Sequence, residues 1–306
     1  MKYIVATSDT PYFRWQMLVQ INNFKKLGIL DDLTYVVSIA NRRSGKLNHI
    51  AKDTGVRIET YKDERKNPTY QPSITAHIMK KHLQKYPEEG EMFFYLDPDV
   101  IFREKPEYKN IFYLYKSVWF LSDTKSYLDS TYIKSKSIEL FNLMCKTVNI
   151  DPDLVSKLDK AAGGAQYVMK NVDYDYWNEV EKDSENLYEL MSSTSGKYNP
   201  EHPIQAWTAE MWAVLWNAWK REYPTLIDED MNFSWATDPI EKFNKNIIFH
   251  NAGVFDQENL FHKGKYNDKH PFNDDHSNVD DKHCSFKYLQ EIMDTKNNYP
   301  ELIKKL

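Results

Sequence analysis

The chain is predicted to be an α/β protein with a mostly parallel sheet flanked by helices, and three observations predict it. Short apolar runs of strand length recur at Tyr3-Ile4-Val5-Ala6, at residues 33–40 and at Met92-Phe93-Phe94-Tyr95-Leu96. Segments with helical spacing separate them, and strands that alternate with helices build parallel sheets through crossover connections. The third run breaks into Asp97-Pro98-Asp99, polar chemistry at the strand end where ligands of such sheets bind.

Taken in order, the first strand leads to the polar turn Thr7-Ser8-Asp9-Thr10. Residues 13–27 carry Trp15, Leu18, Val19, Ile21 and Phe24 at helical spacing, and Gly28 is placed to stop that helix. The strand at 33–40 delivers Ala40-Asn41 to the same sheet edge as Thr7, Ser8 and Asp9. The basic loop Asn41-Arg42-Arg43-Ser44-Gly45-Lys46 follows; it suits a diphosphate or an anionic acceptor, and equally a solvated loop. Tyr70-Gln71-Pro72-Ser73 precedes a second helix that runs to about residue 86.

Pro98 supplies no N–H to a ladder and fixes φ, so strand pairing stops there and both carboxylates can turn toward one point. Two such carboxylates suit a hard divalent cation, Mg²⁺ or Mn²⁺, bound together with the phosphates of a substrate. An Asp-Pro-Asp turn that merely ends a strand is the competing reading.

Residues 103–135 read as short strands and turns around Tyr113, Trp119 and Phe120. A helix is predicted over 137–145, and Asp151-Pro152 starts another. In Ala161-Ala162-Gly163-Gly164-Ala165-Gln166-Tyr167-Val168 the paired glycines beside a strand permit close approach of a ligand, or form a plain turn. Residues 203–220 are the strongest helical pattern. Trp212, Trp216 and Trp219 share one face, and Trp207, Glu210, Met211 and Val214 much of the other. A helix apolar on both faces is buried, which puts Glu210 at a cavity wall, either with a binding role or as a first-turn acid favoured by the macrodipole. Ile247-Ile248-Phe249 reads as a strand ending at His250.

The stretch 257–284 is crowded with Asp, Asn and Lys and holds His262, His270, His276 and His283. Convincing metal-ligand spacing is missing there, so a polar loop that covers the site and orders with its ligands is predicted. The segment 285–306 reads as a surface helix interrupted at Pro300.

At 306 residues the chain can bury a substantial core in one large or two small domains. Aromatic residues make up 14%, with eight Trp and 21 Tyr. Most fill the core, and the surplus suits the apolar faces of sugar rings. A net charge of −5 lacks the basic footprint of a nucleic-acid-binding protein. Two cysteines, Cys145 and Cys284, make no disulfide framework and point to a reducing compartment. The first strand begins within three residues of Met1, which leaves no room for a signal peptide, and no apolar run reaches the ~18 residues of a membrane span. A soluble, cytoplasmic protein is expected.

Asp97-Pro98-Asp99, Gly163-Gly164-Ala165-Gln166-Tyr167, Trp207-Thr208-Ala209-Glu210-Met211-Trp212 and Ile247-Ile248-Phe249-His250 occur in that order. Together they resemble the GT-A-type, nucleotide-sugar-dependent glycosyltransferases. Within those, they are similar to the hydroxyproline O-arabinosyltransferase and peptidyl-serine galactosyltransferase group of plants and algae. The resemblance implies a Rossmann-like GT-A catalytic domain over residues 1–255, with 256–306 as a C-terminal extension on or over the site. It implies metal ligation by Asp97, Asp99 and His250, with Mn²⁺ favoured over Mg²⁺ because one ligand is an imidazole. Thr7, Ser8, Asp9, Tyr70, Ser73, Asp97, Gly163, Gly164 and Gln166 are the implied donor-site residues, and Glu210 and Asp97 the implied catalytic ones. The implied reaction moves a sugar from a UDP-sugar to a hydroxyl with retention of configuration, by attack on the face UDP leaves or by double displacement through Glu210.

The plant enzymes are membrane-anchored in the secretory pathway, and this chain departs from them. A soluble viral or bacterial member is the resulting expectation, in the host cytoplasm if viral. Its acceptor is then a glycan, a protein or a hydroxymethylated pyrimidine in phage DNA. Two other classes stay open. A metal-dependent nucleotidyltransferase or phosphodiesterase needs a third carboxylate beside Asp97 and Asp99. A Trp-rich, non-catalytic carbohydrate-binding protein needs no metal.

Overall fold

In the computed structural model, which describes residues 1–66, 68–109 and 111–306, the described residues form ten strands. They are β1 (Lys2–Ser8), β2 (Leu33–Ile39), β3 (Arg57–Lys62), β4 (Met92–Tyr95), β5 (Val100–Phe102), β6 (Trp119–Ser122), β7 (Gly164–Lys170), β8 (Thr225–Ile227), β9 (Phe233–Trp235) and β10 (Ile248–His250). Seven make one sheet in the order β3-β2-β1-β4-β7-β6-β8, and three make another in the order β5-β10-β9. The α/β class follows directly. By contacts the chain divides into two units, one of Met1–Lys62, Leu96–Tyr108 and Asp230–Leu306, the other of Asp63–Tyr95 and Lys109–Glu229. Residues 256–306 thus fall in the same unit as the N-terminal strands.

In the first unit β1 pairs in parallel with β2, Tyr3 opposite Leu33 through Ser8 opposite Ser38, and β2 pairs in parallel with β3. Every residue of β2 is buried, as a strand covered on both faces requires. The connecting helix α1 (Pro11–Lys26) starts on Thr10, whose side chain accepts from the Phe13 amide, with proline in its first turn. It ends just before Gly28, which takes φ +68°, the left-handed turn that glycine adopts without steric cost. Helix α2 (Gly45–Thr54) is capped by the Ser44 hydroxyl and stopped by Gly55. The expected C-terminal helix forms as Ser285–Asn298, with Pro300 opening a separate turn of helix. It packs on α1, where Asn22 donates to Glu291 at 2.6 Å and Lys26 pairs with the same carboxylate at 2.7 Å. In the smaller sheet β10 lies antiparallel to β5, His250 opposite Val100, and parallel to β9.

The second unit is less parallel than the alternation of elements predicts. β6 and β8 pair in parallel, but β7 runs antiparallel to both β4 and β6. Among the described residues of 103–135 there is one strand, β6, and otherwise short helices rather than strands. The helix predicted over 203–220 begins only at Ala209 and ends at Lys220. A 3₁₀ turn at Ala206–Thr208 precedes it. Its three-residue period takes Trp207 off the helical wheel and leaves that indole 60% exposed. Trp212 and Trp216 are fully buried as expected, their rings 5.3 Å apart. The helix Tyr174–Thr194, capped by Asp173, packs against both this helix and α3 (Ile74–Lys85).

Cys145 and Cys284 are free and buried. Among the described residues, no helix is long and apolar enough to cross a membrane.

Candidate functional site

The turn at Asp97-Pro98-Asp99 is fixed from below by polar residues of α1. Gln20, fully buried, donates to the carbonyls of Asp97 at 2.9 Å and Val100 at 2.8 Å, and accepts from the Tyr35 hydroxyl at 2.6 Å. One turn on, Asn23 both donates to the Phe102 carbonyl and accepts from the Phe102 amide, each at 2.9 Å. Two amides three residues apart thus hold β5 by its backbone.

The pairing of β10 with β5 then brings His250 to the aspartates, and the Asn251 amide donates to the Asp99 carbonyl at 3.1 Å. The His250 Nε2 lies 3.4 Å from Asp97 Oδ2 and 3.4 Å from Asp99 Oδ1. Trp235 stacks on the imidazole at 5.9 Å and 15°. Asp99 and His250 are buried, while the Asp97 side chain is 53% exposed, so the group opens to solvent on the Asp97 side.

One ligand atom from each of the three residues falls within 4.8 Å of the others. In a six-coordinate shell with bonds of about 2.1 Å, adjacent ligand atoms sit roughly 3 Å apart, so two oxygens and one imidazole nitrogen at this spacing fit a small divalent ion. The neighbouring Asn251 carboxamide is buried, and neither of its polar atoms has a hydrogen-bond partner among the described residues. Natural sites seldom leave such a group unused without reason.

Desolvation alone raises the Asp99 carboxyl, but the ammonium of Lys263 and the His250 ring outweigh it and hold Asp99 well below the usual carboxylate range. Asp97 moves the other way, raised by desolvation and by the Asp99 charge against the opposing pull of His250. Lys263 makes a direct ion pair with Asp99 Oδ2. Sequence reasoning missed this lysine.

Most of the remaining expected residues have structural partners. The Thr7 hydroxyl is buried without a hydrogen-bond partner among the described residues, and Ser8 is half-buried at the end of β1. Asp9 pairs with Arg14 at 2.7 Å and accepts from the Ser44 amide and hydroxyl, each at 3.0 Å, joining the end of β1 to the start of α2. Of the basic loop, Arg42 and Lys46 are exposed and Arg43 half-buried.

In the second unit Tyr70 and Ser73 are buried rather than open. Tyr70 stacks on Tyr188 at 4.7 Å, and its hydroxyl donates to the Trp207 carbonyl at 2.6 Å and accepts from the Glu210 amide at 3.2 Å. The Ser73 hydroxyl accepts from Arg65 at 2.7 Å and bonds Glu185. Glu210 is half-buried in the first turn of its helix, where the Thr75 hydroxyl donates to its carboxylate. Gln166 is buried and accepts from the Ser122 hydroxyl at 2.7 Å.

The glycine pair has a packing reason. A Cβ on Gly163 would meet the Ser122 carbonyl at 2.4 Å, and one on Gly164 would meet Leu128, the Tyr167 hydroxyl and Met211 at 2.8 to 2.9 Å. Protein atoms already fill the space that a ligand approach requires. Two of the four tail histidines also serve the fold: His276 bonds the Pro271 carbonyl at 2.8 Å and His283 pairs with Asp280 at 2.8 Å.

The chain matches no known protein-family model and no curated protein sequence. Solved structures with a similar course of the chain include the WbbM bifunctional glycosyltransferase, 9% identical, TM-score 0.47, over 99% of this chain and 51% of that one. The chain therefore spans about half the length of WbbM. A second is the galactosyltransferase LgtC in complex with donor and acceptor sugar analogues, 11% identical, TM-score 0.47, over 99% of this chain and 100% of that one. A third is mouse xyloside xylosyltransferase 1, 8% identical, TM-score 0.42, over 82% and 97% of the two chains.

Proposed function

We propose that the chain is a metal-dependent GT-A glycosyltransferase that moves a sugar from a UDP-sugar to a hydroxyl acceptor with retention of configuration. The observation that carries this reading is the convergence of Asp97, Asp99 and His250, the imidazole 3.4 Å from each carboxylate, on strand ends of an α/β fold. The ordered motifs of the resembled family support it independently. Under this reading Asp97, Asp99 and His250 hold the ion. When bound, a divalent ion neutralises charge developing on the leaving diphosphate.

The protein's own groups divide the remaining work. Gln20 and Asn23 keep the two carboxylates at fixed height by bonding the backbone on either side of them. Trp235 orients the His250 ring by stacking on it. Glu210, held by Thr75, is assigned to a sugar hydroxyl. A carboxylate already engaged by a donor is a weaker nucleophile, which favours attack on the face that UDP leaves over a covalent glycosyl-enzyme. The proposed acceptor is a glycan, protein or modified-base hydroxyl; the net charge of −5 makes DNA the least favoured.

A two-metal nucleotidyltransferase is disfavoured, because among the described residues the metal-type cluster comprises Asp97, Asp99 and His250 with no third carboxylate. The test is thermal stability with Mn²⁺, with UDP and with both, for the wild type and Asp99→Ala. The reading expects a shift that needs both ligands and disappears in the variant. Equal melting under all four conditions would reject it.

A further inference from the structure

We propose that Lys263 is a built-in stand-in cation, whose ammonium holds Asp99 in the metal-free protein and must leave before a divalent ion can bind. This rests on the reading of Asp97, Asp99 and His250 as a metal centre.

The Asp97 and Asp99 carboxylates, which offer ligand atoms within 4.8 Å of each other, repel unless positive charge lies beside them. Lys263 supplies that charge. Asp99 is divided between two partners, Oδ1 facing the His250 Nε2 at 3.4 Å and Oδ2 paired with the Lys263 Nζ. An ion seated between Asp97, Asp99 and His250 would have this ammonium as an immediate like-charged neighbour, and the two repel strongly in a partly buried site. Metal loading and the Lys263–Asp99 pair are therefore mutually exclusive.

The local chain is built for the lysine to move while its backbone stays. Lys263 opens the 3₁₀ turn Lys263–Tyr266. On one side of it the Phe261 amide donates to the Ser285 hydroxyl at 2.7 Å; on the other the Tyr266 carbonyl accepts from the Trp15 indole at 3.2 Å. Phe261 and Tyr266 stack on each other at 5.6 Å and both meet the edge of Trp15. Between these fixed points the Lys263 side chain is 27% exposed, so its flexible four-carbon stem has solvent to swing into. The consequence is a site that keeps its geometry without metal and resists loading by metal alone.

The test is Mn²⁺ binding without nucleotide, by calorimetry and by the spin-resonance signal of free Mn²⁺, on wild type, Lys263→Met, Lys263→Gln and Lys263→Arg. The neutral variants are expected to bind Mn²⁺ about 10-fold tighter or more than wild type, the equivalent of losing one charge-assisted bond. Their metal-free melting temperature is expected to fall and to be restored by Mn²⁺. Lys263→Arg, which keeps the charge, is expected to bind no tighter than wild type. Folded neutral variants whose Mn²⁺ affinity equals or trails that of wild type overturn the stand-in role and leave the metal centre intact. If no form binds Mn²⁺, with or without UDP, the metal centre itself falls and this inference falls with it.

Discussion

Replacing Gln20 by leucine removes the amide that holds the Asp97–Val100 turn, and its cost can be worked from the bonds it makes. Leucine fits the space of a glutamine approximately, so little cavity term arises. The Val100 carbonyl loses its 2.8 Å donor in a buried setting. The Asp97 carbonyl loses its 2.9 Å donor but retains the Val100 amide at 3.2 Å. The Tyr35 hydroxyl loses its 2.6 Å acceptor and keeps only the longer bond of 3.3 Å to the Met17 carbonyl. A buried polar group left unpaired costs about 1–3 kcal/mol, and two are seriously affected here. Against this stands about 1 kcal/mol from burying a more apolar side chain. A net loss of about 1–5 kcal/mol follows, or a melting temperature lower by roughly 2–8 °C for a chain of this size. Urea denaturation and calorimetry of Gln20→Leu measure it directly. Because the same turn carries Asp97 and Asp99, Mn²⁺ affinity must fall in step. A variant within about 0.5 kcal/mol of wild type, the range of ordinary surface substitutions, would show that the turn is held by something other than this amide.

Four further outcomes are expected. Asp99→Ala removes any stabilisation by Mn²⁺ plus UDP, read as a melting shift, and chelation reproduces the loss in wild type. Glu210→Gln lowers kcat/KM by about 10- to 100-fold, mostly through KM, if the carboxylate binds a sugar hydroxyl, whereas complete loss of turnover would favour the covalent route. Gly163→Ala forces a Cβ against the Ser122 carbonyl, 2.4 Å away, and costs about 1–3 kcal/mol in urea denaturation. Lys170, its ammonium held by the Phe112 and Tyr115 carbonyls, is pushed down to about 8 by burial. Above that pH the folded state has released a proton that the unfolded state keeps to about 10.4. Wild type therefore gains stability relative to Lys170→Met as pH rises from about 8 toward 10.4, and a pH series of denaturation midpoints checks the sign.

The parts of the fold that show in the sequence are those whose burial is written locally. β1, β2 and β4 are apolar runs, α1 has a capping threonine and a stop glycine, and the Pro300 break is visible as a proline. β3 is hidden because Arg57, Glu59 and Lys62 dilute it; of its residues only Ile58 is buried, as befits an edge strand. β8 and β9 are three residues each, too short to show a period. Trp207 looked like a helical core residue because a 100° wheel was extended across a 3₁₀ turn.

At the site, Asp97, Asp99 and His250 are legible because each borders an apolar run. Lys263 is not, since one lysine in a polar tail looks like the next, and its partner lies 164 residues away in sequence. Gln20 and Asn23 carried a usable signal that is easy to misread. Amides three residues apart inside an otherwise apolar helix face mark where a helix grips a neighbouring backbone.

The donor set lies across a strand pairing whose two sides are made far apart in time. A growing chain brings out Asp97 and Asp99 first. Their imidazole partner arrives only when β10 lays itself along β5, and the Lys263 ammonium follows with the turn at 263–266. Until then the two carboxylates hang on an unpaired strand with no fixed distance to any third ligand. On the proposed reading of Asp97, Asp99 and His250 as metal ligands, cation binding is among the last properties the folding chain acquires, and a metal-dependent change in stability is then expected to report that its most distant segments have met.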